Sequence, residues 1–331
     1  MFILNAKEPK ELAHYLLEKK WLLSDETILS LTKPGEGNMN YVLRVTTNLR
    51  TFIIKQSRGY VEKYPQIPAP ENRVITEATF YKKIASDENI QCMMPKLLGL
   101  DTENNILLLE DLGKSNDYSS LYTFGQKLTE EEMKVLISYL NDLHSRFEKV
   151  QLDDELTNTE LRQLNYEHIF RYPFLEENGF DLNTIQEGLQ KLALPYKKDA
   201  TLKKQVELLG SLYMSKGKYL LHGDYYPGSW LKTDDGIKII DPEFCYYGSR
   251  EFDLGVLIAH LYLSQQNENL ITIIEKHYEK FAAINLKNLY GFVGIEIMRR
   301  LIGLAQLPLQ MELQKKEQLL ELAKKLILNL R

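Results

Sequence analysis

Two acidic side chains in this sequence have the surroundings that catalysis requires. Asp224 stands in Leu221-His222-Gly223-Asp224, and Asp241 follows 17 residues later in Ile239-Ile240-Asp241-Pro242-Glu243. Transfer of a phosphoryl group needs one carboxylate that orients the attacking hydroxyl or accepts its proton, and another that holds Mg²⁺ on the phosphates. A His-x-Asp tripeptide alone is more typical of a loop salt bridge. Its combination with Asp-x-Glu at this spacing favours a catalytic role for Asp224.

The elements before the two acids are expected to position them. Each acid follows a short apolar run, 219–221 in one case and 237–240 in the other. Such runs are typical of β-strands. A hairpin that joined the two strands would return both carboxylates to one end of a sheet.

The first part of the chain has the pattern of a small sheet with a few helices. Strands are predicted at 28–31, 41–45 and 51–54 and on both sides of the turn 101–105. Turn-forming residues separate these runs, which predicts an antiparallel meander. Apolar residues at helical spacing predict helices at 10–21 and 71–84. Pro65, Pro68 and Pro70 predict a loop before the second helix.

Helical apolar spacing dominates after residue 113. The predicted helices are 130–147, 201–214, 252–263, 270–282, 289–305 and 313–330. The exception is 219–244, where turn-rich sequence alternates with short strands. A β-rich N-lobe at 1–112 and a larger helical C-lobe at 113–331 predict an α+β fold with a cleft between the lobes.

The composition excludes several classes of protein. The chain has 331 residues, of which 44% are hydrophobic and 26% charged, as in a globular protein of about two domains. Its formal charge of −5, without a basic stripe, argues against a nucleic-acid partner. The apolar runs are too short for a membrane span, and residues 1–7 do not resemble a signal peptide. Cys92 and Cys245 cannot form a disulfide framework, and they predict a cytoplasmic location.

The motifs around the two acids resemble those of a known group of enzymes. His222-Gly223-Asp224 and Asp241-Pro242-Glu243 are similar to the paired motifs of the aminoglycoside phosphotransferase and choline kinase branch of the protein-kinase-like superfamily. The closest similarity is to 5-methylthioribose kinases, whose motifs are matched by Ser229, Asp241-Pro242-Glu243-Phe244, Tyr247-Gly248 and Phe252-Asp253-Leu254-Gly255. The resemblance implies a protein-kinase-like fold of two lobes that binds Mg²⁺ and ATP.

This resemblance implies a glycine loop over the phosphates, between the first two strands. Gly35, Gly37, Asn38 and Asn40 occupy that part of the sequence, with Asn40 where the third glycine of Gly-x-Gly-x-x-Gly would stand. Asparagine tolerates positive φ, so a tight turn is compatible with Asn40. An ordinary hairpin turn explains the same residues equally well.

Four further residues of the N-lobe are implied to bind the nucleotide. Lys55 corresponds to the lysine that contacts the α- and β-phosphates, and Glu77 to the helix glutamate that pairs with it. Taken separately, both are typical surface charges, and their order and spacing favour the paired role. Glu110 and Leu112 would frame the adenine by main-chain atoms, although an ordinary strand end has the same pattern.

Ser229 stands where protein kinases have an asparagine that binds Mg²⁺. A hydroxyl is a poorer ligand for this cation than an amide carbonyl. Two explanations compete. Either Glu243 joins Asp241 as a second metal ligand, or the metal site is weakened and the protein is a nucleotide-binding pseudokinase with a regulatory role. The presence of every charged residue of the site favours the first.

Arg299 and Arg300 resemble the arginine pair that contacts the substrate in 5-methylthioribose kinases. Adjacent residues on a helix point about 100° apart, so both reach one cleft only where the helix is irregular or ends. Otherwise one of them forms a surface ion pair. The polar and aromatic segment 165–174 is either a wall of the substrate site or a packed helix end. The resemblance also implies a homodimer.

The resemblance therefore implies a kinase that phosphorylates a hydroxyl of a small sugar such as 5-methylthioribose. Asp224 would orient that hydroxyl while His222 braces the loop. Alternative acceptors are choline, ethanolamine and aminoglycosides, because aromatic residues near the loop could surround a cation. These residues are Tyr225, Tyr226, Trp230, Tyr246 and Tyr247. The arginine pair argues against a cationic acceptor because it would repel one.

Overall fold

The segments predicted as strands and helices form these elements, in the order in which they were predicted. The computed structural model describes residues 2–35, 37, 39–153, 155–279 and 283–330. Asn38, predicted for the phosphate loop, lies outside the described residues. So do the last three residues of the helix predicted at 270–282.

The strands are short, and several of them end beside residues of the candidate site. They are β1 (Ile28–Thr32), β2 (Tyr41–Thr47), β3 (Thr51–Gln56), β4 (Tyr60–Val61), β5 (Tyr64–Pro68), β6 (Leu97–Asp101), β7 (Ile106–Glu110), β8 (Asn116–Asp117), β9 (Tyr219–Leu221), β10 (Trp230–Thr233), β11 (Gly236–Ile239) and β12 (Tyr246–Gly248). The strands predicted in the first part of the chain are all present, which confirms the β-rich character of that region.

The helices are concentrated in the second half of the chain. They are α1 (Pro9–Glu18), α2 (Arg73–Ile84), α3 (Glu88–Gln91), α4 (Glu130–Arg146), α5 (Thr159–Tyr166), α6 (Leu189–Lys198), α7 (Ala200–Met214), α8 (Glu251–Leu263), α9 (Asn269–Glu279), α10 (Leu286–Ile302) and α11 (Leu313–Leu328). The α+β class is thereby confirmed. None of the helices in the described ranges combines the length and hydrophobicity of a membrane-spanning segment.

The chain divides into two compact units. The first comprises Met1–Asn116 and Thr233–Phe244, and the second comprises Asp117–Lys232 and Cys245–Arg331. The chain therefore returns to the first unit for twelve residues, which include Asp241 and Glu243. The sequence pattern suggests two lobes divided at a single point, after residue 112. Such a division would place residues 233–244 in the second lobe, whereas they belong to the first unit.

The first unit is built around an antiparallel sheet in the order β1-β2-β3-β7-β6. Successive side chains of a strand point to opposite faces. Leu43 and Val45 of β2 and Phe52 and Ile54 of β3 are fully buried on one face. The apolar side of α1 belongs to the same core. This packing fixes the register of β3 against β2 and thereby the position of Lys55, which pairs with Val42.

The second unit is mainly helical and packs its central helices closely. A Cβ atom added to Gly255 of α8 would lie 2.6 Å from the Cβ of Phe292 on α10. Thr129 and Glu132 form a capping box at the start of α4. The strands β9 and β12 pair antiparallel in the same unit. These elements surround the loop that carries Asp224.

Two predictions of secondary structure are wrong. The run before Asp224 does not form a hairpin with the run before Asp241, because β9 pairs with β12, which follows Asp241. The proline-containing region predicted as a loop holds the paired strands β4 and β5. Proline is tolerated at the edge of such a pair, where its missing N–H costs no ladder hydrogen bond.

Candidate active site

Lys55 and Glu77 form a buried ion pair in the first unit. Lys55 lies on β3, between β2 and β7, and Glu77 lies on α2. Lys55 Nζ donates a hydrogen bond of 2.6 Å to Glu77 Oε2. The side chains are 6% and 1% exposed. The structure thus brings together the two residues that the sequence analysis pairs, and neither is a surface charge.

Asp241 joins this pair from the segment that returns to the first unit. Its carboxylate contacts Lys55 Nζ, and its side chain is 46% exposed. The backbone of Asp241 is left-handed, with a φ of 68°, a conformation that aspartate adopts more readily than most residues. A 3₁₀ turn, Pro242–Phe244, follows directly. The side chain of Asp241 is half-exposed, whereas that of Glu243, two residues later, is buried.

Burial and neighbouring charges act in opposite directions on the ion pair. Burial alone would lower the pKa of Lys55, but the negative charges of Asp241 and Glu77 outweigh burial and raise that pKa. Burial raises the pKa of Glu77 to about 7, although the positive charge of Lys55 opposes the shift. Lys55 is therefore cationic at neutral pH and suited to bind the anionic oxygens of a phosphate chain.

Glu243 is held by two side chains of the same unit. Asn40 Nδ2 donates a hydrogen bond of 2.8 Å to Glu243 Oε2, and Arg73 Nε lies 3.6 Å from the same oxygen. Burial, with the nearby negative charge of Asp241, raises the pKa of Glu243 to about 8. Asn40 Oδ1 is buried without a hydrogen-bond partner among the described residues. Asn40, predicted for the phosphate loop, thus reaches the predicted metal ligand Glu243.

Arg73 is a residue of this cluster that the sequence patterns do not indicate. Its buried guanidinium donates hydrogen bonds of 2.6 to 3.1 Å to the carbonyl oxygens of Met39, Arg58, Tyr60 and Pro70. It therefore joins the chain before β2 to the β4–β5 hairpin, next to Glu243. An arginine at the first position of a helix has no motif that distinguishes it from a surface charge.

The oxygen atoms around Asp241 and Glu243 fit Mg²⁺. This cation is usually bound by one or two carboxylates and completes its shell with water and substrate phosphates. A nearby cation would stabilise the ionised form of Glu243, whose pKa burial raises, and the buried Oδ1 of Asn40 has no hydrogen-bond partner among the described residues. No cluster of three or more His, Cys, Asp or Glu side chains able to hold a metal occurs in the described ranges.

The other residues predicted to bind nucleotide lie in two connections of the first unit. Gly35 and Gly37 lie between β1 and β2, and a Cβ atom added to Gly35 would meet nothing within 4 Å. Gly35 is exposed, so the open space beside it is solvent. Glu110 ends β7 and Leu112 follows it. The N–H of Glu110 donates to the carbonyl of Lys96 at 2.9 Å. Contact of Glu110 and Leu112 with adenine stays a prediction.

The loop that carries Asp224 is fixed by a buried carboxylate in the second unit. The N–H groups of His222 and Gly223 donate to the two oxygens of Asp253, at 2.7 and 2.9 Å. Asp253 lies in the first turn of α8 and is fully buried. Gly223 has a φ of 84°, which glycine adopts without strain. The aspartate of the motif at 252–255 therefore holds the backbone that leads into Asp224.

Two buried histidines support the same loop. His222 Nδ1 accepts the N–H of Asp224 at 3.4 Å, which agrees with the bracing role predicted for this residue. His144 Nε2 lies 3.2 Å from Asp253 Oδ2, and its Nδ1 lies 2.6 Å from the hydroxyl of Tyr278. A carboxylate can only accept hydrogen bonds, so Nε2 of His144 carries a proton.

Ser229 closes the turn that begins at Asp224. Its Oγ donates a hydrogen bond of 2.8 Å to the carbonyl oxygen of Asp224, and its N–H donates to the carbonyl of Tyr226 at 2.8 Å. Ser229 is buried, whereas the side chain of Asp224 is 23% exposed. The Ser229 hydroxyl thus holds the turn together by its hydrogen bond to Asp224, and its predicted role as a ligand stays a prediction.

Arg299 and Arg300 lie in the last turn of α10, and both are buried. Arg299 Nη1 donates to Glu296 Oε2 at 3.1 Å, and Arg300 Nε donates to Glu296 Oε1 at 2.6 Å. Arg300 Nη2 lies 3.7 Å from Asp224 Oδ1. Neither arginine forms a surface ion pair, because Glu296 binds both. The spacing i, i+3 and i, i+4 is the sequence signal for these pairs.

Most aromatic residues near the catalytic loop belong to the core. Tyr225, Trp230 and Tyr246 are fully buried, and Tyr247 is 7% exposed. The ring of Tyr226 lies under the guanidinium of Arg300, with 5.0 Å between Cζ and the ring centroid. A ring that already carries an arginine is poorly placed to surround a cationic substrate.

The segment 165–174 packs into the core like a helix end, and its role as a wall of the substrate site stays a prediction. It contains a π-helical turn, Glu167–Arg171, a feature frequent at functional sites. Ile169 and Phe170 are buried in the core, as a packed helix end requires. Burial, with the positive charge of nearby Arg299, lowers the pKa of His168. One side of the segment thus lies close to the arginine pair.

Sequence comparison connects this arrangement with known enzymes. Residues 30–286 match the model described as the Phosphotransferase enzyme family. The methylthioribose kinase of Bacillus velezensis is 27% identical, over an alignment that covers 88% of this chain and 82% of that relative. The match therefore includes most of the length of both proteins.

Solved structures of lower sequence identity share the fold. LicA in complex with AMP has a TM-score of 0.57 and 14% identity, with 97% of this chain and 100% of that chain covered. The choline kinase LicA from Streptococcus pneumoniae has a TM-score of 0.54 and 14% identity, with 96% and 99% covered. These structures show a common fold, and at this identity they show nothing further.

Proposed function

Because this chain belongs to the phosphotransferase enzyme family and is a small-molecule kinase, we propose that it phosphorylates a hydroxyl of 5-methylthioribose or a similar small sugar with ATP. The observation that carries the proposal is the ion-paired cluster in one unit that joins the buried Lys55 and Glu77 to the half-exposed Asp241. The curated relatives named methylthioribose kinase support the choice of acceptor, and the LicA complex with AMP supports an adenine nucleotide.

The first unit would bind the phosphate end of the nucleotide. Lys55, oriented by Glu77, would donate hydrogen bonds to phosphate oxygens. Asp241 and Glu243 would hold Mg²⁺, which neutralises charge on the phosphates when it is bound. Arg73 and Asn40 would keep Glu243 in place through the contacts described above.

The second unit would orient the acceptor. Asp224 would accept a hydrogen bond from the acceptor hydroxyl and take its proton as the new bond to phosphorus forms. Asp253 and His222 hold the backbone of this loop, so the carboxylate is pre-positioned before the substrate arrives. Catalysis of this kind depends on placement and charge rather than on a covalent intermediate.

The charge next to Asp224 favours an uncharged acceptor. The guanidinium of Arg300 lies 3.7 Å from Asp224 Oδ1, and a quaternary or protonated amine in the same place would be repelled. A sugar hydroxyl meets no such repulsion. Choline, ethanolamine and aminoglycosides therefore remain the second group of acceptors to test.

The experiment is a coupled assay of ADP formation with Mg²⁺, ATP and 5-methylthioribose, in the wild type and in Asp224→Asn. We expect the substitution to lower kcat about 100- to 10,000-fold, because the amide cannot accept the proton. ATP binding measured by calorimetry should be nearly unchanged. Glu275→Gln, which alters a carboxylate bonded to Tyr290, is the matched control and should retain activity.

Each outcome of this assay has a definite meaning. Full activity of Asp224→Asn would refute the assignment of Asp224. Turnover of choline, ethanolamine or an aminoglycoside in place of the sugar would retain the kinase and replace the acceptor. ATP binding without turnover of any of these acceptors would favour the regulatory pseudokinase.

A further inference from the structure

Tyr226 lies in the turn that follows Asp224 in the second unit. Its N–H donates a hydrogen bond of 3.1 Å to the carbonyl oxygen of Asp224, and its own carbonyl accepts the N–H of Ser229 at 2.8 Å. The hydroxyl of Ser229 donates to the same carbonyl of Asp224. The side chains of Asp224 and Tyr226 are therefore carried by one hydrogen-bonded turn.

The ring of Tyr226 contacts two residues from the helices behind this turn. The guanidinium carbon of Arg300, on α10, lies 5.0 Å from the ring centroid, and the ring of His260, on α8, lies 5.3 Å away. A cation within about 6 Å of an aromatic centroid is attracted to the ring face, and burial strengthens the attraction. Arg300 is 6% exposed and His260 fully buried, so the ring packs where little water competes.

The other contacts of Arg300 fix one atom of its planar group more firmly than the rest. Nε donates a hydrogen bond of 2.6 Å to Glu296 Oε1. Nη1 donates to the carbonyl oxygen of Ala305 at 3.5 Å, which is a weak bond, and Nη2 forms its ion pair with Asp224 at 3.7 Å. One strong hydrogen bond allows the guanidinium plane to tilt about it, and the face of the Tyr226 ring restricts that tilt.

We propose that Tyr226 is a positioning residue whose ring holds the plane of the Arg300 guanidinium, sets the separation of the Arg300–Asp224 ion pair and so orients Arg300 toward the acceptor. This inference rests on the proposed function and on the acceptor contact predicted for Arg300. The sequence pattern indicates for Tyr226 only a place in a wall around a cationic acceptor.

The physical argument concerns the direction of the arginine donors. The N–H groups of a guanidinium lie in one plane as a rigid fork, and hydrogen bonds weaken steeply when the donor points away from the acceptor atom. A tilt of the Arg300 plane would therefore weaken its bonds to oxygen atoms of a sugar. Because the turn of Asp224 also carries the Tyr226 ring, the carboxylate and the guanidinium keep one relative position before the acceptor arrives.

The kinetic test compares Tyr226→Leu, which removes the ring, with Tyr226→Phe, which keeps it. Tyr226→Leu should raise the KM for the accepted sugar about 2- to 30-fold, the range that the loss of one cation–ring contact gives, while the KM for ATP stays constant. Tyr226→Phe is the conservative variant and should rescue most of this loss. Equal increases in both variants would assign the effect to the hydroxyl, and an unchanged KM in Tyr226→Leu would show that the ring has no role. Either result would overturn the proposal.

A matched control guards against a general loosening of the second unit. Tyr219 carries the guanidinium of Arg250 over its ring, with 4.5 Å between Cζ and the centroid. Tyr219→Leu removes a contact of the same kind in the same unit and should leave the KM for the sugar unchanged. Melting curves of all variants compare their stabilities. A rise of KM in Tyr219→Leu as large as in Tyr226→Leu would refute the positioning role.

A spectroscopic measurement separates this inference from the proposed function. In ¹⁵N-arginine-labelled protein, the Nε–H signal of Arg300 is assigned by its absence in Arg300→Gln. Its proton shift should change in Tyr226→Leu, which abolishes the ring current, and should be kept in Tyr226→Phe. An unchanged shift in Tyr226→Leu would refute the contact even in an active kinase. Absence of wild-type turnover with every acceptor would refute the proposed function, and the signal would still decide whether Tyr226 holds Arg300.

Discussion

A buried lysine keeps its charge only where carboxylates replace the water it has lost, and Lys55 has two such carboxylates, those of Glu77 and Asp241. The ammonium group is consequently fixed in direction as well as in charge. In the proposed function, Lys55 would thus be ordered when the chain folds, before phosphate oxygens of the nucleotide bind to it.

Lys55→Met should therefore weaken the use of ATP more than it weakens the fold. We expect kcat/KM for ATP to fall about 100-fold or more, because one preorganised cation at the phosphates is lost. Steady-state kinetics in ATP, with a melting curve of each variant, measure both effects. Lys82→Met, an exposed lysine on α2, is the control. Equal kinetics of the two variants would show that Lys55 does not contact the nucleotide.

The sequence identifies site residues where a charged group stands in a recognisable motif. Lys55 and Glu77 follow from their order along the chain, and Asp241 follows from Asp-x-Glu. Arg73 is different, because its importance lies in four carbonyl groups from separate segments. No local pattern encodes such a tertiary set of partners. Contacts of this kind become visible only in the folded chain.

At the scale of elements, the packing of α8 on α10 depends on the absence of a side chain at Gly255. A Cβ atom there would lie 2.6 Å from the Cβ of Phe292 and 3.2 Å from the backbone N of Val293. Contacts this short require one helix to move. These two helices carry Asp253 and the Arg299–Arg300 pair, so their spacing also affects the position of the loop that carries Asp224.

Gly255→Ala should destabilise the protein by about 1–3 kcal/mol, the usual effect of overpacking a core. Helix propensity alone would give the opposite sign, a gain of nearly 1 kcal/mol. The sign of the change in the free energy of unfolding, measured in urea, therefore separates the two effects. An increase in stability would show that the helices are not in close contact at this position.

Most of the longer helices were predictable from the sequence because apolar residues recur in them at helical spacing. The ends of the predicted helices lie within three residues of those observed, wherever the ends are described. α5 and α6 were not predicted, and α6 contains Pro195, a residue that usually ends or kinks a helix. Strand partners were less predictable, since β9 and β12 are three residues long and short strands carry little information about register.

At the scale of the whole molecule, a buried neutral histidine makes stability depend on pH. Burial, opposed by the hydrogen bond to Glu296, lowers the pKa of His260 to about 4. The unfolded chain takes up a proton below about pH 6.5, whereas the folded chain does not until about pH 4. Folding stability due to His260 is thus complete above pH 6.5 and is lost as the pH falls toward 4.

This loss corresponds to roughly 2 kcal/mol between pH 6.5 and pH 5, at about 1.4 kcal/mol per pH unit. Urea unfolding at the two pH values measures it. His260→Gln should lose less stability over this interval than the wild type, whereas the exposed His14→Gln should lose as much. The same loss in His260→Gln as in the wild type would contradict the assignment.

The predicted homodimer and cytoplasmic location stay predictions at this scale.

The return of residues 233–244 to the first unit has a consequence for gene recombination. A single crossover after residue 116 would join the sheet of one parent to the Asp241–Glu243 segment of another. Lys55, Arg73 and Asn40 would then contact carboxylates that had evolved beside the side chains of a different protein. A functional exchange of the second unit requires a crossover at each of the three unit boundaries. In a diverging lineage, the two units are therefore inherited as interleaved blocks rather than as two consecutive halves of the gene.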